Sequence, residues 1–358
     1  MKIRKGLACI LTLAFCTIFV KAEKIGILEG IFKPAGVAVR AGEVFILEGA
    51  TVFVFSIDDL RLLRKFGREG QGPGEVEITP WLENVLYVFD DYVVIDSVNK
   101  VVTYSLSGTL IKELRRSQQF TQMIPVEKNY TAKKRMFDAG KNMQYSTINW
   151  CDPDCQKSRE LYRQPFAAQH KKIDMIPDSV HFAVYEDKIF IEESPRGFYI
   201  EVFDHNGEKI YAIHKGLEKI PVKTADKREA EKLLSVDPFM SNAPGGWKEL
   251  KKTLNLNYPE AFPAISDLVI TDNKIYVQTY KKERQRQQYI VLDLEGNELS
   301  RVLLPEVSPP GFTEQMMGTG VRLFDINHDR FYYIVSTDEG CELYAKEIED
   351  EHQGSGNI

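Results

Sequence analysis

The chain has 358 residues, with 46 Lys and Arg against 52 Asp and Glu, 43% hydrophobic and 27% charged residues. This composition excludes a collagen-like, disordered or multi-span membrane protein. The length suits either two domains of roughly 150 residues or one large all-β domain. The 16 Tyr, 20 Phe, 24 Gly and 16 Pro fit many short aromatic strands between tight turns.

Residues 1–22 read as a secretory signal peptide. Lys2, Arg4 and Lys5 form a basic start, residues 6–20 an apolar run, and Val20 and Ala22 precede the expected cut. Fifteen apolar residues fall short of the roughly 20 that span a bilayer, so no membrane span is expected. A lipid on Cys16 is the lesser alternative, because Phe15 stands where a lipobox has a small residue. Cleavage removes four positive charges (Lys2, Arg4, Lys5, Lys21) and moves the net charge from -6 to -10. An acidic exported protein, periplasmic or extracellular, is a poor nucleic-acid binder, since that affinity rests on Lys and Arg neutralising phosphate.

Residues 24–30 form an apolar strand, and residues 36–40 and 43–66 a first, drifted repeat. The stretch 66–76, Phe-Gly-Arg-Glu-Gly-Gln-Gly-Pro-Gly-Glu-Val, invites a phosphate-loop reading, yet no Lys-Ser/Thr follows Gly74 and carboxylates flank it. Its glycines read as turn-formers. The clearest repeat is residues 85–114: an apolar segment, then a strand from Tyr92, an Asp96-x-x-Asn99 turn, a second strand, and a Ser107-Gly108 turn into a third. Residues 122–126 and 130–162 copy it weakly. At their turn lies Cys151-Asp152-Pro153-Asp154-Cys155, whose spacing permits a small disulfide in an oxidising compartment, with two free thiols as the alternative. No second Cys pair or paired His has the spacing of a metal site.

The plan recurs at 180–184 and 188–214, and at 267–270 and 274–304. Residues 281–286 (Lys-Lys-Glu-Arg-Gln-Arg) read as a solvated hairpin tip. Between these copies, residues 217–263 lack alternation. Thr224 is placed to cap a helix through Leu234, and Trp247, Leu250 and Leu254 have helical spacing. With that insertion set aside, the mature chain leaves about 48 residues per repeat, near the roughly 40–50 of known propeller blades. The last copy, 320–348, has only three strands before the polar tail 351–358. Residues 24–30 are then the natural fourth strand, covering an edge that would otherwise lie open. The expectation is an all-β, six-bladed β-propeller over residues 23–350, closed by its N-terminal strand, with a partly helical insertion between blades 4 and 5.

The 66–76 linker resembles the blade-to-blade linker of NHL-type propellers, and the Asp96 and Ser107-Gly108 turns are similar to their blade core. Together they resemble the secreted bacterial six-bladed propellers related to NHL and TolB-like proteins. Glu48 and Val76 depart from the pattern, where Asp and Phe are usual.

No Gly-x-Ser-x-Gly or His-Glu-x-x-His motif marks a catalytic site. The resemblance includes lactonases and lyases, so a metal-assisted lyase or lactonase at the central channel is the second reading. The first is a monomeric, non-catalytic binding module without cofactor, taking a protein or small-molecule ligand on one propeller face. Its candidate contacts are Phe239, Trp247 and Tyr258 of the insertion and His181 at the channel mouth.

Overall fold

The computed structural model describes residues 22–79, 82–116, 119–166, 168–169, 172–237, 246–307 and 320–349. Apolar alternation between turn-formers folds the chain into strands. β1 (Glu23–Leu28) comes first. β2 (Pro34–Arg40), β3 (Glu43–Glu48), β4 (Thr51–Ser56) and β5 (Leu62–Phe66) form an antiparallel sheet in sequence order. β6 (Arg68–Glu69) and β7 (Glu75–Val76) pair in parallel within the glycine loop. The second sheet is β8 (Val85–Val88), β9 (Tyr92–Asp96), β10 (Lys100–Ser105) and β11 (Leu110–Arg115). The third is β12 (Phe120–Val126), β13 (Asn129–Asp138), β14 (Met143–Cys151) and β15 (Ser158–Pro165).

After β16 (Ala168–Gln169) and β17 (Lys172–Asp174) comes the fourth sheet. It holds β18 (Phe182–Tyr185), β19 (Lys188–Glu192), β20 (Phe198–Asp204) and β21 (Lys209–Lys215). Helices α1 (Thr224–Val236) and α2 (Gly246–Thr253) and strand β22 (Asn255–Asn257) precede the fifth. That sheet is β23 (Asp267–Thr271), β24 (Lys274–Glu283), β25 (Arg286–Asp293) and β26 (Glu298–Pro305). Finally β27 (Phe324–Asn327), β28 (Arg330–Thr337) and β29 (Gly340–Glu347) make three strands of a sheet whose fourth, outermost strand is β1. Glu23 faces Ala345 and Leu28 faces Cys341 in that antiparallel pairing.

Middle strands are buried on both sides because each sheet packs against two others. Val37 and Val39 meet Ile334 and Leu343; Phe45 and Val54 meet Val93 and Val102. Val94 and Val101 meet Met123 and Ala132, and Ile124 and Ile148 meet Ile189 and Phe203. Ile200 and Val202 meet Val277 and Ile290, and Tyr276 and Val291 meet Ile326 and Phe331. Each fully buried aliphatic of this kind contributes about 1.5–3 kcal/mol. Outer strands face water; β11 is exposed along nearly its whole length. The fold is a β-propeller.

Two polar struts tie sheets together. Asp96 receives Arg116 Nη1 at 2.7 Å and the Met123 N–H of the next sheet at 2.8 Å. Asp325 does the same for the first sheet, with Arg40 Nη1 at 2.7 Å and the Val39 N–H at 2.8 Å. The glycine turns before the outer strands are a third device. Gly296 has φ +92°, and a Cβ there would lie 2.6 Å from Ile213 of the preceding sheet; Gly108 stands likewise against Phe66. Only glycine satisfies both the backbone and the contact.

The 66–76 loop turns its amides onto the chain's own carboxylates. Glu75 Oε2 accepts the Gly72 N–H at 2.7 Å and Glu113 Oε2 the Gly74 N–H at 2.9 Å. Donors that would cradle a phosphate are thus occupied. The basic run 281–286 forms the β24–β25 hairpin tip, with Arg284 and Gln285 at positive φ.

Two local readings are corrected. Thr224 opens α1 rather than capping it: Lys223 is the cap residue, and its N–H donates to Asp226 Oδ2 at 2.7 Å. Residues 217–263 also contain a strand, β22, which pairs in parallel with β17. Three-residue strands leave too short an alternation to read.

Candidate axial site under two inter-sheet links

Each sheet's first strand follows a link from the previous sheet's outer strand, so β18, β23 and β27 all begin at the same end of the axis. The residues at those starts are polar. Asp267 opens β23, His181 immediately precedes β18, and Arg322 lies just before β27. Arg322 grips Asp267 with two hydrogen bonds, Nε to Oδ2 at 2.8 Å and Nη2 to Oδ1 at 2.5 Å, and donates to Leu268 O at 2.7 Å. Its own carbonyl accepts the Val37 N–H from β2 at 3.2 Å. His181 Nδ1 stands 3.7 Å from Asp267 Oδ1. On the other side, Gln122 Nε2 donates to Tyr87 Oη at 2.7 Å. Lys133, paired in register with Gln122, sends Nζ to Val180 O at 2.9 Å. Beneath His181, Glu192 donates its N–H to His181 O at 3.0 Å, while both its carboxyl oxygens are buried without a hydrogen-bond partner.

This belt has an open and a closed layer. The side chains of His181, Asp267 and Arg322 are 25%, 17% and 28% exposed, whereas Lys133 and Glu192 are buried. Burial pushes the Glu192 carboxyl well above the ordinary carboxylate range, and Asp178 and Asp267 add to it. Burial also pulls the Lys133 ammonium down to about 7, against the pull of Glu192. On Asp267 burial works upward, but the Arg322 guanidinium outweighs it and holds the carboxyl below its usual value. His181 is lowered to about 4 by burial, with Lys133 and Arg322 reinforcing this and Asp267 opposing it. At neutral pH it is therefore an uncharged imidazole beside a fixed ion pair.

That shift sets a pH dependence. The unfolded chain takes up a proton near pH 6.5, before folded His181 does near 4, so the His181 contribution is complete above pH 6.5 and lost between 6.5 and 4. Glu192, raised in the fold, works in the opposite direction. In urea unfolding followed across this range, His181→Gln removes an acid-side loss of up to about 3 kcal/mol relative to the unaltered chain. Parallel profiles for the two proteins contradict it.

Above the belt sit links from two successive sheets. β22 pairs with β17, and Met175 N donates to Asn257 O at 2.8 Å. Ile173 and Met175 of one link and Ala230 and Leu234 of the other are buried together, with Trp247, Leu250, Leu254 and Tyr258 packed against them. Tyr258 Oη donates to Glu231 Oε1 at 2.8 Å, and Lys227 lies over its ring at 5.3 Å. At the base, Val222 N reaches Glu260 O at 3.0 Å and Phe262 N reaches Ile220 O at 2.9 Å. Phe262 stacks on Tyr280 with centroids 4.6 Å apart. Tyr280 is half-buried, and the charges of Glu192, Asp178 and Asp267 act on it. The paired links thus rest on the belt.

The structure therefore separates the expected contacts. His181 lies in the belt; Trp247 and Tyr258 lie in the small apolar cluster above it, half-buried; Phe239 falls outside the described residues. Cys151 and Cys155 flank their turn as free thiols. Lys133, Glu192, Asp267 and Arg322 escape a sequence reading: Lys133 opens a Lys-Lys-Arg run and Glu192 a Glu-Glu pair, neither of which signals burial. Among the described residues no three His, Cys, Asp or Glu side chains are grouped to hold a metal ion, and no helix is long and apolar enough to cross a membrane.

No protein-family model matches the chain, and no curated protein matches it. Solved structures do resemble it. A member of the DUF4221 family from Bacteroides vulgatus is 9% identical, covering 92% of this chain and 97% of that one at a TM-score of 0.49. BamB from Moraxella catarrhalis is 10% identical over 87% and 71% of the two chains, TM-score 0.30. Apo AztD from Citrobacter koseri is 12% identical over 76% and 72%, TM-score 0.32. Likenesses this distant say nothing of site or ligand.

Proposed function

We propose that the chain is an exported, non-catalytic binding module: a monomeric six-bladed propeller of the NHL and TolB-like kind, occupying residues 23–350 and recognising a protein or small-molecule ligand at the end of the axis where the inner strands begin. Six four-stranded sheets and six apolar junctions, the last joining the sixth sheet to the first, support the ring. The observation that carries the function is the belt of His181, Asp267 and Arg322, half-open to water beneath links that interrupt the repeat. Interrupting segments on one face of a repeat fold are where binding concentrates. Residues 217–263, with Trp247 and Tyr258, form the outer part of this recognition surface and His181 its floor.

Capture of a partner from envelope extract tests it. Replacing residues 217–263 by a short Gly/Ser linker leaves the sheets folded and abolishes capture. Capture that survives the linker but falls with His181→Ala moves the site wholly to the channel mouth, and capture that survives both overturns the reading. Export is tested separately. Strand β1 starts at Glu23, directly after the expected cut, and residues 1–21 with Cys16 and the tail 351–358 lie outside the described residues. N-terminal sequencing of the mature protein begins at Glu23; retained Met1 or a lipid on Cys16 contradicts it.

A further inference from the structure

Cys151 and Cys155 differ in every property that matters to thiol chemistry. Cys151 ends β14, is fully buried, and packs with Val94, Met123, Tyr130 and Ala132. Cys155 sits in the following turn, half-buried, with φ +51°. The turn is preformed: Asp152 Oδ1 accepts the N–H groups of Gln156 at 2.8 Å and Lys157 at 3.1 Å, and Cys155 N donates to Asp152 O at 2.9 Å. Cys155 packs against the buried cluster that holds Cys151, and the neighbouring thiol is the largest influence on each of the two. It favours thiolate at Cys155 and disfavours it at Cys151. Lys112, whose Nζ donates to Pro153 O at 3.3 Å, adds to the first effect, while burial, Asp152 and Asp154 oppose it. A half-exposed thiolate packed beside a buried thiol is the division of labour that disulfide exchange requires.

We propose that this turn is a thiol–disulfide exchange site, in which Cys155 attacks a disulfide of a small molecule or a protein and Cys151 resolves the product. The Cys155 thiolate displaces one sulfur of the incoming disulfide, which leaves as a thiolate, and a mixed disulfide forms at Cys155. Cys151 passes its proton to that leaving thiolate and attacks Cys155 Sγ, releasing the second sulfur as thiolate, which takes a proton from water. Two cysteine thiols are oxidised to the Cys151–Cys155 disulfide and one external disulfide is reduced to two thiols. The turn needs no long movement, because it already packs Cys155 against the cluster that holds Cys151. Cys341, buried across a different sheet with Ser336 Oγ at 3.8 Å, takes no part.

Oxidised glutathione is the probe and peptide mass mapping the readout. The unaltered chain gains the 151–155 disulfide without a lasting glutathione adduct. Cys151→Ala keeps one glutathione on Cys155, and Cys155→Ser leaves Cys151 reduced. Glutathione on Cys151 of the Cys155→Ser variant, or two unreacted thiols in the unaltered chain, overturns the proposal. Since Cys151→Ala touches the core, alkylation of the unaltered folded chain gives an independent check: Cys155 reacts at least about tenfold faster than Cys151 and Cys341. Equal rates overturn it.

Discussion

Deleting residues 23–30 collapses the stability of the whole domain, well beyond local fraying. β1 contributes Leu28, buried against Val44, Leu60 and Leu343, together with half-buried Ile25 and the ladder onto β29. At about 1.5–3 kcal/mol per buried aliphatic and about 1 kcal/mol per hydrogen bond, the loss is of the order of 5–10 kcal/mol. A domain's entire net stability is about 5–15 kcal/mol. The bared β29 edge adds a route to aggregation. Thermal and urea unfolding of the truncated chain shows a folded fraction lost or a midpoint sharply lowered, and a synthetic peptide of residues 23–31 added in trans restores part of it. An unchanged midpoint means that β1 is decoration.

Asp96→Ala costs about 3–5 kcal/mol, the penalty for leaving a buried charge without its partner. The Asp96 and Arg116 side chains are 1% and 4% exposed, so water cannot hydrate the abandoned guanidinium, and Met123 N loses its acceptor as well. The matching Asp325→Ala costs less, because Arg40 is 20% exposed and can turn toward water. Urea midpoints of the two variants rank them. Equal or reversed losses contradict the burial argument.

The strands were readable because each is a short apolar run between strong turn-formers: Asp204 to Gly207 and Asp293 to Gly296 announce their hairpins before any contact is known. The exchange of β1 into the last sheet was readable too, by counting strands in a final copy that held only three. The belt was not. Lys133, Glu192, Asp267 and Arg322 come from four different sheets, and nothing local marks a lysine or glutamate in a strand as buried. The pairing of β17 with β22 was hidden for the same reason. Trp247 and Tyr258 drew attention as large aromatics, yet the same apolar surface that suits a ligand also packs a small cluster, and spacing cannot tell these apart.

The union of β1 with β29 also sets an order of assembly. Lys24 and Glu342 form an ion pair across 318 residues of sequence. β1 is thus made long before the strand it pairs with, and five sheets can form from neighbouring hairpins while the sixth waits. Bringing such distant ends together costs roughly 5 kcal/mol of chain entropy in a flexible chain, a cost that shrinks once the intervening sheets have stacked and carried the two ends toward each other. Non-local pairing of this kind slows folding, so the slow step falls at the seam. Until it closes, β29 remains an unpaired edge on an otherwise finished body.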